Sequence, residues 1–210
     1  IHAQPWAREW FSALPDAQLG PRLYWAGFKA LNYVLVPALC IKLVLRDSVR
    51  DHGLRLHPDR KVWALYGGLV VLALPIVVVA SNVPSFLATY PRYPHAADTW
   101  SRLLLWEAAY GAQFAALEFF FRGFLLFALA RSLGSAAIFV AVVPYAMIHF
   151  SKPLAETLGS MVAGVVLGTL ALRTRSIYGG VLVHCAVAWA MDGLALLHKG
   201  ELARLWAASG

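Results

Sequence analysis

Charge is what this sequence has least of. Only 14% of its 210 residues are Asp, Glu, Lys or Arg, and 60% are hydrophobic; a soluble domain carries about 25% charged residues. A water-soluble globular fold is therefore excluded, because the chain cannot furnish the polar surface one needs. Acid is scarcer than base, 11 residues against 18, for a net charge of +7. The basic residues gather in short segments between apolar runs, the pattern of the positive-inside rule. No nucleic-acid partner is read from them. Cysteine is almost missing. Cys40 and Cys185 both lie in apolar runs without ligand spacing, which reads as packing rather than a disulfide or a metal site. There is no internal repeat and no low-complexity tract. Without a repeat or a pair of interrupted helices, a proton-coupled transporter has little support. No signal-peptide pattern is legible either, since Trp6 to Gly20 is mixed and holds Pro15.

What the chain does have is long apolar runs and a mean hydropathy of +0.63. The fold class expected is all-α: a polytopic membrane bundle of about six transmembrane helices. Residues 1–22 read as an interfacial segment, with Trp6, Trp10 and Phe11 at the headgroups. Residues 23–198 form the bundle, with a core from about 102, and residues 199–210 form a tail. The runs are expected at Leu23 to Leu45, Val62 to Ala80, Arg102 to Ala130, Ala136 to Phe150, Leu154 to Leu172 and Ile177 to Leu197. The fourth is short for a full crossing. Arg46 to Lys61, Arg131 to Gly134 and Arg173 to Arg175 are placed in the cytoplasm. Ser81 to Trp100 is placed outside, lying partly on the membrane surface. Gly164 and Gly168 at GxxxG spacing predict a close helix approach.

Several ionisable residues sit in these runs. Glu118 and Arg122 are four apart on the third and can pair on one helix face. Tyr145 and His149 share a face of the fourth. His184 and Asp192 share a face of the sixth. A charge in a bilayer is costly unless it is matched or faces a wet cavity. Glu118 can take a proton from water as a general base, and a nearby histidine can donate to an oxyanion. The same Glu, His and His could also form a zinc triad. The bland alternatives are an orienting ion pair for Glu118–Arg122, a helix-end histidine for His149 and a core histidine for His184. Asp192 and Glu107 are expected to reach the interface. Lys152 and Glu156, on the turn after His149, sit at the mouth of any shared pocket and could position substrate.

Glu118-Phe-Phe-Phe-Arg122-Gly123, Tyr145-x-x-x-His149 and His184 on successive helices resemble the CPBP family, the CAAX-processing and bacteriocin-immunity intramembrane glutamic proteases. The family shows EExxxR, FxxxH and HxxxN or HxxxD in that order. The stretch Gly53-Leu54-Arg55-Leu56 before the second run is also similar. The resemblance covers roughly Asp51 to Leu197. It implies hydrolysis of a peptide bond in or beside the membrane, with glutamate-activated water, assisting histidines and no metal or other cofactor. The catalytic set it implies is Glu118, His149 and His184, with Arg122, Tyr145 and Asp192 supporting. The partners it implies are the lipid bilayer and a membrane-anchored or C-terminally tailed protein substrate, in a bacterial inner membrane. Three positions depart from the pattern. Leu117 stands at the first glutamate, Tyr145 at the phenylalanine, and Ala188 at the Asn or Asp after the last histidine. A catalytically silent binding or immunity-type protein on the same scaffold is the competing reading.

Overall fold

The computed structural model describes residues 19–208, so the expected interfacial role of Trp6, Trp10 and Phe11 lies outside the described residues. Nine α-helices follow one another there: α1 Leu19–Leu39, α2 Arg60–Ala80, α3 Pro84–Thr89, α4 Trp100–Glu118, α5 Phe127–Leu133, α6 Ala137–Met147, α7 Leu154–Thr174, α8 Tyr178–His198 and α9 Glu201–Ala207. π-helical turns extend α1 through Cys40–Val44 and join α4 to α5 through Phe119–Leu126. The described residues contain no strand.

Five helical stretches are long and apolar enough to cross a membrane: Leu19–Val44, Arg60–Ala80, Trp100–Met147, Leu154–Thr174 and Tyr178–His198. The third is 48 residues long, which if straight would extend about 70 Å, more than twice the apolar thickness of a bilayer. It doubles back instead. Gly134 adopts φ 55°, a conformation glycine reaches without steric cost. The returning α6 packs Ile138 and Ala141 against Leu126 and Phe127. The hydropathy pattern predicts two runs here, Arg102 to Ala130 and Ala136 to Phe150, and the turn at Gly134 divides the stretch between them. α6 has only 11 residues, about 17 Å of helix, shorter than the apolar thickness of a bilayer, and it ends just before His149.

Local chemistry sets the helix starts. Asp59 and Thr99 cap α2 and α4 by accepting from the N–H groups of Lys61 (2.8 Å) and Arg102 (3.2 Å). Pro37 and Pro75 lie inside α1 and α2, where neighbouring helices make them tolerable. The lipid-facing side of α2 exposes Val71, Leu72, Ile76 and Val79.

Because lipid tails are as apolar as the side chains, close backbone approach drives association here. A Cβ on Gly164 would come within 2.9 Å of Val142, and one on Gly168 within 3.3 Å of Ile138. The GxxxG pair thus seats α6 on α7. Gly159 faces open space instead. On the other side, Tyr66 of α2 fills the notch left by Gly179 of α8. α1 lies along α4, with Leu19 and Tyr93 in one cluster with Trp106 and Tyr110.

Two ends are distinguishable. At one, Arg131 reaches Asp47 (2.7 Å) and Arg175 reaches the Asp51 carbonyl, so all three basic loops meet. At the other, Tyr90 to Tyr93 bind α1 through Arg22, α8 through Asp192, and Lys199 beyond it.

Candidate active site

Glu118 is 0% exposed and sits at the last α-helical position of α4, where the π turn begins. Its Oε1 lies 3.1 Å from Arg122 Nη1 and 3.1 Å from His184 Nδ1. The pairing read from i, i+4 spacing is therefore present, and a second helix contributes the imidazole. Oε2 is buried and has no hydrogen-bond partner. The room for it comes from Gly180, one turn before His184, where a Cβ would stand 2.5 Å from that oxygen.

Arg122 is 3% exposed and lies over the Tyr145 ring, with Cζ 3.9 Å from its centroid. A cation over an aromatic face is favoured when both are out of water. Tyr145 is a hub. Its ring centre stands 4.9 Å from that of His149, 6.3 Å from that of His184 and 5.3 Å from that of Phe121. Phe114, one turn before Glu118, stacks on His184 at 4.2 Å. Glu118, Arg122, Tyr145, His149 and His184 thus converge from α4, its π turn, α6 and α8. Among the described residues no three His, Cys, Asp or Glu side chains come together as a metal-ligand set.

The tautomers follow from the partners. His149 Nδ1 faces the Tyr145 carbonyl at 2.9 Å, and an acceptor there requires that Nδ1 carry the proton. The same logic applies to His184 against the Glu118 carboxylate. Each neutral ring keeps a lone pair on Nε2. In that form either ring can accept from water; only as an imidazolium can it also donate from Nε2.

The remaining candidates lie elsewhere. Asp192, expected to reach the interface, is 0% exposed. Its Oδ1 accepts from the Arg92 N–H (3.0 Å) and its Oδ2 from Trp106 Nε1 (3.2 Å). It braces the loop over the bundle end, and neither hydrogen bond reaches Glu118 or His184. Burial by Trp106 and the loop, absent from any helical-wheel argument, is the reason. Glu107 lies beside it, half-buried, with Oε2 out of reach of solvent. Lys152 and Glu156 bind each other (2.6 Å) and the Tyr90 hydroxyl (2.8 and 2.7 Å). Burial pushes the Lys152 ammonium below the usual lysine range, with Glu156 acting against it. At this mouth their charges are spent on one another.

Three contributors escaped the motif reading: Gly180, Phe114 and Tyr66. The adjacent glycines 179 and 180, one turn before a membrane histidine, were the available signal.

Residues 99–190 match the family model described as Rce1-like, type II CAAX prenyl endopeptidase. The resemblance carried by the three motifs is borne out over that stretch, which runs from the cap of α4 to beyond His184 and leaves out Asp192 and the Gly53–Leu56 segment. No curated protein and no solved structure matches the chain.

Proposed function

We propose that this integral membrane protein is an endopeptidase of the CAAX-protease kind that uses Glu118 to activate water. The observation that carries the reading is the state of that side chain. It is a fully buried carboxylate with one oxygen held by Arg122 and His184 and the other unpartnered. A purely orienting ion pair needs neither an imidazole from a second helix nor a carboxylate oxygen left clear by Gly180.

In the reaction, Oε2 takes a proton from water as its oxygen attacks the scissile carbonyl. Arg122 holds the carboxylate from the other oxygen and limits its rotation. His184, donating from Nδ1, fixes the same oxygen and offers Nε2 to orient the water. His149 is the donor to the tetrahedral oxyanion; that requires both nitrogens protonated, a form that burial disfavours in the resting site and that the oxyanion's own charge favours. The proton on Glu118 then passes to the departing amine, restoring the carboxylate. The substrate class is the C-terminal segment of a membrane-associated protein, and the setting is a bacterial inner membrane with the basic loops in the cytoplasm. Lys152 and Glu156, joined through the Tyr90 hydroxyl, take no part in these proton transfers.

Leu117 favours the second reading, a silent binding protein, because it stands where the family's first glutamate would. Glu118→Gln separates the two. In purified protein with a prenylated or tailed peptide, cleavage should fall at least about a hundredfold, the usual scale of a lost general base, with the thermal midpoint retained. Cleavage at the wild-type rate would remove Glu118 from the chemistry.

A further inference from the structure

The loop between α1 and α2 carries a buried histidine that the chemistry above does not use. His52 is 2% exposed. Its Nδ1 lies 2.9 Å from the Gly123 carbonyl, inside the π turn that starts at Glu118 and contains Arg122. Its Nε2 lies 3.2 Å from Asp47 Oδ2, and that oxygen also accepts from Arg131 at 2.7 Å. Both ring nitrogens therefore face atoms that can only accept, a pairing that requires a doubly protonated ring.

The next residue grips the other helix. The Gly53 carbonyl accepts from the Ile177 N–H at 3.0 Å, at the start of α8, where Ile177 offers no capping side chain. Gly53 has φ 86°, and a Cβ there would stand 2.6 Å from Ile177 Cγ2. A Cβ on Gly123 would stand 2.7 Å from the His52 carbonyl. Consecutive residues of one loop are thus seated on the helix of Glu118 and Arg122 and on the helix of Gly180 and His184.

We propose that His52 is a positioning residue: as an imidazolium anchored by Asp47 and Arg131, it fixes the π turn and, with Gly53, sets the spacing of the two helices that form the Glu118 site, making activity depend on pH at the basic end. The inference rests on the hydrolase reading for its activity readout only. Other charges near the ring are few. Arg175 lies over the Phe127 ring (4.5 Å), itself 6.3 Å from His52, and reaches the Asp51 carbonyl. The Asp51 carboxylate pairs with Arg55, and α8 presents Ile177. The Ser48 N–H first, then His52 and Arg131, hold the Asp47 carboxyl below the usual carboxylate range, which keeps it an anionic acceptor for the ring. Once His52 loses a proton, one nitrogen turns a lone pair toward an acceptor.

The test uses the full chain in nanodiscs, with two readouts: cleavage as a function of pH, and amide hydrogen exchange of residues 119–126. Wild type should lose kcat as pH rises. Asp47→Asn should make that decline shallower, leaving only the part that His149 contributes, because a neutral His52 ring can then donate to Gly123 and accept from the new amide. His52→Ala should lower kcat about tenfold, with KM held, through small displacement of the acid, and should speed exchange of the π turn. His52→Asn, which can still donate to Gly123, should restore slow exchange. An Asp47→Asn profile identical to wild type, or unchanged exchange in His52→Ala, overturns the proposal. Exchange keeps the two readings apart: if wild type cleaves nothing the hydrolase reading fails, if Glu118→Gln cleaves at the wild-type rate Glu118 leaves the chemistry, and in either case exchange alone still decides the clamp.

Discussion

At the residue scale, two neighbouring glycines on α8 do different work. A Cβ on Gly180 would press on the free oxygen of Glu118, whereas one on Gly179 would enter the Tyr66 ring. A flexible carboxylate can yield, at the expense of its aim. A fully buried ring on a packed helix cannot. Gly180→Ala should therefore lower cleavage by about 10- to 100-fold, the scale of a misplaced catalytic group, with a nearly unchanged thermal midpoint. Gly179→Ala should instead lower the midpoint or abolish folding, as overpacking does. Measuring both variants by detergent-phase melting and by cleavage checks the split; equal losses of stability would show that Gly180 serves packing alone.

At the element scale, the run from Trp100 to Leu133 is a helix whose middle is wound more widely. A π turn commonly marks a functional site, and here it carries Arg122 and presents Gly123 to the basic loop. The opposite end is held by a loop instead of a helix. Asp192 joins Arg92 and Trp106 there, and Lys199 donates to the Tyr90 carbonyl at 2.7 Å. Removing the Asp192 carboxylate would strand a buried indole N–H and a backbone N–H, so Asp192→Ala should cost about 1–3 kcal/mol. Asp192→Asn, which keeps an accepting oxygen, should cost less. Equilibrium unfolding in detergent reads the difference. A side chain reaching water would give a change near zero.

At the scale of the whole molecule, the bundle separates a basic end, where loops 45–59, 131–136 and 173–177 meet, from an end built of residues 81–99 and 148–153. Exposed positions at the two ends should label from opposite sides of a sealed vesicle. Arg55→Cys, Ser132→Cys and Arg173→Cys should react with an impermeant maleimide from one side, and Asn82→Cys and His95→Cys only from the other. The charge bias predicts that the first group faces the cytoplasm. Labelling of Ser132→Cys from the side of Asn82→Cys would break the six-pass arrangement at Gly134.

The sequence by itself determined the fold class, the apolar runs and the pairing of Glu118 with Arg122. Each depends on short-range periodicity and on the cost of charge in lipid, both readable along one strand of text. It also indicated the seat of α6 on α7, because small residues at fixed spacing mean close approach. The meeting of His184 with Glu118, the notch at Gly180 and the withdrawal of Asp192 under Trp106 were decided only when separate helices packed. Which face of a helix meets which neighbour depends on loops such as His52–Gly53 and Tyr90–Tyr93. Their polar groups bind distant backbone, and no local period encodes that.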